Sequence, residues 1–503
     1  MYGRGGTSAQ CAACREHRDA TPRARTLPST ASLVKYIINY AIAPSIRTPN
    51  NFSIPRFGAA RLGIEASPMP DLLAARSQMA MSLGFHIIFA VVGIGLPALM
   101  VIAEWRWIRT GEAVYLELAK RWSKGAAILF AVGAVSGTVL SFELGLLWPN
   151  FMRFAGPIIG MPFSLEGFAF FTEAIFLGLY LYGWDRVSRG AHLFAGIVVA
   201  LSGVLSGIFV VIANAWMNTP AGFRLVDGNV VDVRPFAAMA NAAAFSQTLH
   251  MTLAAYAATG LTVAGIHAFS ILRGNRSPFQ RLALGVALSV GAPAAILQPL
   301  SGDLSARMVA ENQPVKLAAL ESHFETQRGA PLHIGGWPDV DARETRWAIK
   351  IPRGLSLLAF HDPNAEVKGL EAFPQDEWPP VAIVHIAFQI MVALGTIMAL
   401  VSVWALWHWW RGKSIDAVAD HQYLLRALAL VAPMGFVAIE AGWTLTEVGR
   451  QPWIVYGVLR TAEAVTPMPG LVVPFVLFTL LYALLGVIVV YLLRQQIVRA
   501  PSE

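Results

Sequence analysis

Five carboxylates of this chain sit in apolar surroundings, and their spacing is the first sign of chemistry. Glu440 and Glu447 lie seven residues apart in Ala438-Ile-Glu-Ala-Gly-Trp-Thr-Leu-Thr-Glu-Val-Gly-Arg-Gln-Pro-Trp453. A helix places both on one face, with Trp443 between them. Glu166 and Glu173 repeat the seven-residue spacing in Phe163-Ser-Leu-Glu-Gly-Phe-Ala-Phe-Phe-Thr-Glu, and Glu143 is the fifth. A carboxylate at membrane depth costs roughly 2.5–3.5 kcal/mol, so five left unpaired would cost on the order of 15 kcal/mol. Hydrogen bonding between protonated acids accounts for one or two. A proton relay or a cofactor site is the better reading for the set.

Two histidines and a methionine share those surroundings. Gln78, Ser82 and His86 fall at i, i+4 and i+8, a polar stripe on an apolar helix. His86 is either a hydrogen-bonded core histidine or a metal or haem ligand facing the bundle interior. His250 lies in Phe245-Ser-Gln-Thr-Leu-His-Met-Thr-Leu and Met391 in Phe388-Gln-Ile-Met-Val. Spacing alone does not pair them. On one iron they would close both axial positions, as in an electron-transfer haem. Lys124 and Asp185 fall at helix ends, where interfacial anchoring is the ordinary role. Cys11 and Cys14 form a C-x-x-C with no second pair. The rest of the chain has no cysteine, which excludes iron–sulfur ligation there.

The elements that must position these groups are membrane helices. The 503 residues are 55% hydrophobic and 14% charged, against about 25% charged in a soluble domain. Apolar runs at 76–104, 124–148, 162–184, 192–216, 243–270, 279–301, 379–408, 423–446 and 470–494 are each long enough to span a bilayer. No internal repeat or broken span is evident. The loop after the first run carries Arg106, Arg109, Lys120, Arg121 and Lys124; later loops carry Arg273, Arg276, Arg281, Arg411 and Lys413. The alternate loops are poorer in cations, so the basic set is expected in the cytoplasm. That places the C-terminus inside and the polar segment 302–378 outside. The net charge of +7 thus reflects loop cations rather than nucleic-acid binding. Residues 1–68 are rich in Arg, Pro, Ser and Thr and have no clean signal-peptide core. They are expected to be a disordered or mis-started extension before Met69. The expected division is 69–301 for six helices, 302–378 for an ordered loop and 379–503 for three helices and a short tail.

Over about residues 70–495 the chain resembles subunit I of the cytochrome bd-type quinol oxidases. The resemblance is carried in order by the His86 helix, Ser-Leu-Glu-Gly-Phe and Glu173, Gly183-Trp-Asp-Arg186, Asn214-Ala-Trp-Met217, the His250 helix, Lys316-Leu-Ala-Ala-Leu-Glu321, Phe388-Gln-Ile-Met391 and Glu447-Val-Gly-Arg-Gln-Pro-Trp453. It implies an all-α integral membrane fold and residue roles. His250 and Met391 match the axial ligands of a low-spin haem b. His86, Glu166 and Glu447 match ligands around a high-spin haem b and a haem d, or a further haem b in its place. Lys316 and Glu321 match quinol-binding residues of the external loop. Trp443 and Arg450 match residues beside the haems, the arginine suited to a propionate. Lys124, Glu173 and Asp185 match a cytoplasmic proton path. Gln389 stands where many members have an arginine, which should lower that haem's potential or weaken a propionate contact. A short loop and a shorter Glu166–Glu173 interval point to the cyanide-insensitive branch.

The function expected is quinol:oxygen oxidoreduction, as in a cytochrome bd-type ubiquinol oxidase of the bacterial inner membrane. Quinol gives up its protons outside, oxygen is reduced to water with cytoplasmic protons, and proton motive force arises without pumping. The implied partners are a haem-free subunit II and a small single-helix subunit, with membrane lipid around them. A proton-coupled transporter is the alternative, since intramembrane carboxylates serve there too. A haem–copper oxidase is disfavoured, because the chain has no His-His pair.

Overall fold

The structure, a computed structural model, describes residues 70–495. The expected extension 1–68, with Cys11 and Cys14, lies outside them. Nine helical segments among the described residues are long and apolar enough to cross a membrane, and each overlaps one of the runs read from the sequence to within about two residues at the run's ends. They are α1 (Asp71–Thr110), α2 (Ala113–Leu147), α3 (Pro149–Tyr182), α4 (Arg189–Asn218), α5 (Ala244–Leu272), α6 (Pro278–Asn312), α8 (Val381–Gly412), the pair α9 (Gln422–Val431) and α10 (Met434–Val448), and α11 (Val472–Leu493). A short helix, α7 (Pro314–Leu320), follows α6. In hydrocarbon the backbone must satisfy its own polar groups, so these runs become helices. Several continue past the apolar run: α6 carries on to Asn312, so the polar connection starts at Gln313 rather than 302.

The eighth span is broken, where unbroken spans were expected. Proline has no N–H and clashes with the preceding turn, and Pro433 separates α9 from α10. Thr262 of α5 donates its hydroxyl to the carbonyl of Ala432, which satisfies a group the break releases.

α1 packs on α2, α3 on α4, α5 on α6 and α8 on α10, while α1 also meets α4, α5 and α11. The α5–α6 contact is built from small residues, with Ala257, Ala264, Ala268, Ala287 and Ala292 all buried. Such side chains let helix backbones approach closely where lipid supplies no hydrophobic drive.

The connection between α6 and α8 is ordered, as its mixture of tryptophans, prolines and charges suggested. Three antiparallel pairs nest from the outside inward: β1 (Gln327–Arg328) with β6 (Glu366–Val367), β2 (Leu332–Ile334) with β5 (Ile349–Ile351), and β3 (Trp337–Asp339) with β4 (Glu344–Arg346). A core of Val315, Leu317, Leu320, Phe324, Leu355 and Leu370 ties this segment to Val384 and Leu445 of α8 and α10. His385 and Gln389, one turn apart on α8, clamp it by its backbone. His385 Nδ1 lies 2.7 Å from the Leu320 carbonyl. Gln389 donates to the His333 carbonyl at 3.0 Å and accepts from the Gly335 N–H at 2.9 Å.

Candidate functional site

The two candidate histidines are held by the same device. His86 Nδ1 lies 2.9 Å from Ser136 Oγ on α2, and that hydroxyl donates to the Val132 carbonyl at 2.9 Å. His250 Nδ1 lies 2.9 Å from Ser301 Oγ on α6, and that hydroxyl donates to the Gln298 carbonyl at 2.9 Å. Each serine proton is spent on a backbone carbonyl, so each serine oxygen accepts. The proton therefore sits on Nδ1, which leaves the lone pair on Nε2, bare at His86 and faced by an amide at His250. This is the arrangement in which a second partner fixes the tautomer of a metal-ligating histidine. At His86 the fit demands glycine opposite: a Cβ on Gly137 would come within 3.0 Å of the imidazole Cε1. At His250 the Gln298 amide nitrogen lies 3.2 Å from Nε2.

Met391 faces α10, where a Cβ on Gly442 would come within 3.0 Å of its sulfur. Trp443, one residue on, packs with Ile87, Val91 and Ile439, beside His86 on α1. Glu440 reaches the same helix and lies against Gly84. Among the described residues no three His, Cys, Asp or Glu side chains gather as a metal-ion site. The donors stand singly, which is what an axial haem position asks of a protein.

The five carboxylates have different surroundings. Glu143 accepts from Gln78 and Ser82, each at 2.9 Å, so two members of the His86 stripe serve it. Glu166 accepts from Ser206 at 3.3 Å. Glu447 accepts from Asn214 on one oxygen and is ion-paired with Arg450 on the other. Glu440 Oε1 is buried without a partner. Glu173 is 6% exposed and makes no hydrogen bond among the described residues. It lies against Gly203 of α4. It is the one ionisable group lining a small apolar pocket whose other walls include Val92, Pro97, Phe130, Leu177 and Val199.

Arg450 is 2% exposed, and its Nε and Nη1 have no partner. A buried guanidinium with donors to spare costs several kcal/mol unless an anion meets it. Nε and Nη1 point in different directions, so each is left to meet an acceptor singly, and the residue still has charge-assisted donors for the propionate role expected of it.

Lys316 and Glu321 lie on and just after α7, and both are buried. Lys316 Nζ points into the bundle, donating to Asn218 Oδ1 and to the Thr446 carbonyl, both at 3.2 Å. Burial, helped by the Arg450 charge, pulls its ammonium down to about 7, and Glu447 partly opposes this. Burial pushes the Glu321 carboxyl up to about 8, and its Oε2 has no partner. His333 Nδ1 meets the Glu321 carbonyl at 2.9 Å. Lys124 and Asp185 are exposed, on α2 and in the turn after α3.

Sequence reading missed several participants. Ser136 and Ser301 look like ordinary helix serines. Asn214 was visible only as part of a motif. Glu104 and His192 form a fully buried pair at 2.7 Å, and their only sequence signal was a carboxylate and an imidazole inside apolar helices.

The model of the cytochrome bd terminal oxidase subunit I family matches residues 74–501. A Bacillus subtilis (strain 168) protein provisionally named cytochrome bd menaquinol oxidase subunit I is 39% identical over 439 residues, 86% of this chain and 98% of that one. The cytochrome bd ubiquinol oxidase subunit 1 of the same organism is 32% identical over 451 residues, 86% of this chain and 95% of its own length. Among solved structures, a chain of the bd oxidase from Geobacillus thermodenitrificans superposes with a TM-score of 0.80 at 40% identity, covering 86% of this chain and 99% of that one.

Proposed function

We propose a function from one settled premise: this chain belongs to the cytochrome bd terminal oxidase subunit I family and is subunit I of a cytochrome bd-type quinol oxidase. The observation that carries the proposal further is the pair of histidines whose Nδ1 is met by a helix serine, with Nε2 turned into the membrane helix bundle, at His250 against the Gln298 amide. In this reading His250 and Met391 hold a low-spin haem b. His86, Glu166 and Glu447 serve a high-spin haem b and a haem d, or a further haem b in its place. These haems supply the electron transfer and the oxygen chemistry.

The chain's own residues bind, orient and move protons. Glu321, a carboxyl held near neutrality, takes a proton from quinol. Lys316 spends two N–H groups within the protein, and an ammonium has three, so the third is left for the quinone oxygen. The relatives above are named for menaquinol in one case and ubiquinol in the other, and quinol is the substrate class proposed. Arg450 pairs its spare donors with a propionate, and Trp443 packs beside it. Glu173, without a hydrogen-bond partner among the described residues, carries protons inward, fed past Lys124 and past Asp185 in the turn after α3. Lys124 lies within α2 rather than at the helix end expected of it, because α2 begins at Ala113.

The orientation proposed puts the α6–α8 connection in the periplasm and the C-terminus in the cytoplasm, supported by the cation-rich alternate loops. Protons leave quinol on one side and are consumed from the other, so charge is separated without a pump. The exposed apolar faces of α2 and α3, including Phe142, Leu146, Phe168 and Phe171, are placed against lipid, the haem-free subunit II and a small one-helix subunit.

Visible spectra and pyridine haemochrome analysis of the purified complex test the reading. Haem bands are expected, and His250→Ala is expected to remove the low-spin signal while sparing the others. A folded, colourless preparation would refute it.

A further inference from the structure

Lys316 and Glu447 lie on different elements, yet a hydrogen-bonded chain joins them. Lys316 Nζ donates to Asn218 Oδ1 at 3.2 Å. Asn218 Nδ2 donates to Asn214 Oδ1 at 3.2 Å and to the Asn214 carbonyl at 3.0 Å. Asn214 Nδ2 donates to Glu447 Oε1. Asn218 is 0% and Lys316 3% exposed, so water cannot readily replace either.

The chain has a direction, and the acceptor-only groups along it set it. The Asn214 backbone carbonyl takes the Asn218 NH₂, which turns the Asn218 oxygen to Lys316. Asn214 must in turn receive on its oxygen and give its own NH₂ to the carboxylate. Glu447, with Arg450 on its other oxygen, is then met by donors on both. Every such donor draws negative charge off the carboxylate and weakens what it can give to an electrophile. Without the lysine, Asn218 Oδ1 loses its donor, and the two amides, still turned the same way by the Asn214 carbonyl and the carboxylate, are held by one contact fewer.

We infer that Asn214 and Asn218 are positioning residues that transmit the seating of the loop lysine, Lys316, to the carboxylate of Glu447, so that docking of the α6–α8 connection tunes the haem beside Glu447. This rests on the proposal that Glu447 faces a haem. α7 thereby gains a route to α10 that passes through α4 rather than along the chain.

Redox titration of the intact purified complex, followed by visible absorption, tests it. Asn218→Leu and Lys316→Met are each expected to lower the midpoint potential of the Glu447 haem, because the carboxylate regains donor strength. The double variant should shift no further than Lys316→Met alone, and the His250 haem should stay in place. An unshifted Glu447 haem in Asn218→Leu, additive shifts, or an equal shift of the His250 haem would overturn the inference. If Asn218→Leu does not assemble, Asn218→Ala gives the same reading with less bulk. Glu447→Gln separates the two levels. If it leaves every haem signature unchanged, the Glu447 assignment itself fails. If it changes one while Asn218→Leu changes none, only the transmission fails.

Discussion

Glu447 and Glu173 are the same side chain in opposite circumstances. Glu447 is met by Asn214 on one oxygen and Arg450 on the other. Glu173 stands alone on the wall of an apolar cavity. The first carboxylate is held in place by a donor on each oxygen. The second makes no hydrogen bond among the described residues. The first condition suits the ligand role proposed for Glu447 and the second the proton-carrying role proposed for Glu173. What separates the two carboxylates is the count of donors around each, and both are equally conspicuous by type alone.

Removing the donors should break the contrast most severely. Arg450→Leu leaves Glu447 without its cation in a mostly buried setting, and breaking such a pair costs about 3–5 kcal/mol. The expected outcome is a markedly lower thermal unfolding midpoint and loss of the haem bands that depend on Glu447; an unchanged melting curve would refute the fixed-partner view. Next in size is Glu173→Gln, which keeps shape and removes the proton. Loss of a positioned acid–base group costs on the order of 10²-fold, so quinol oxidation should fall by about that factor while the haem spectrum stays normal. A normal rate would show that the unpartnered carboxylate carries no protons.

Second partners of the histidines sharpen the comparison from another side. Ser301→Ala and Ser136→Ala free the imidazoles to rotate or change tautomer. Such losses cost about 10-fold or more in metal affinity, to be read as haem retained per polypeptide after purification. Full retention in both would mean that the serines do not fix the ligands.

The smallest effect is a pH profile at a carboxyl intermediate between the two extremes. Glu321 is buried, with its folded value near 8. As a proton acceptor it must be ionised, so quinol oxidation should rise as pH climbs toward 8, and Glu321→Gln should flatten that limb. Stability runs the other way. The folded value lies above the unfolded one, so the stabilisation is complete below about 4.5 and is lost as pH rises through about 8.

The helices were legible because their cause is local. Apolar runs of sufficient length must bury their own backbone bonds in lipid, and each of the nine runs overlaps a membrane-length helix. The break at Pro433 was not foreseen, although proline is its cause, because whether a break is tolerated depends on a neighbour such as Thr262. The site was legible in part for an energetic reason. A carboxylate, lysine or histidine in an apolar run is costly wherever the chain goes, so Glu166, Glu173, Glu440, Glu447, His86 and His250 stood out by type.

Their partners did not stand out, because partnership belongs to space and not to the chain. Gln78 and Glu143 are 65 positions apart, Lys316 and Asn218 98, and Asn214 and Glu447 233. A hydrogen bond requires its atoms within about 3 Å and properly aimed, and only the packing of one helix on another sets that. The amino-acid sequence determined which groups were too costly to be idle. The tertiary structure decided which of them would be held, which left free, and through which amides a loop lysine reaches Glu447.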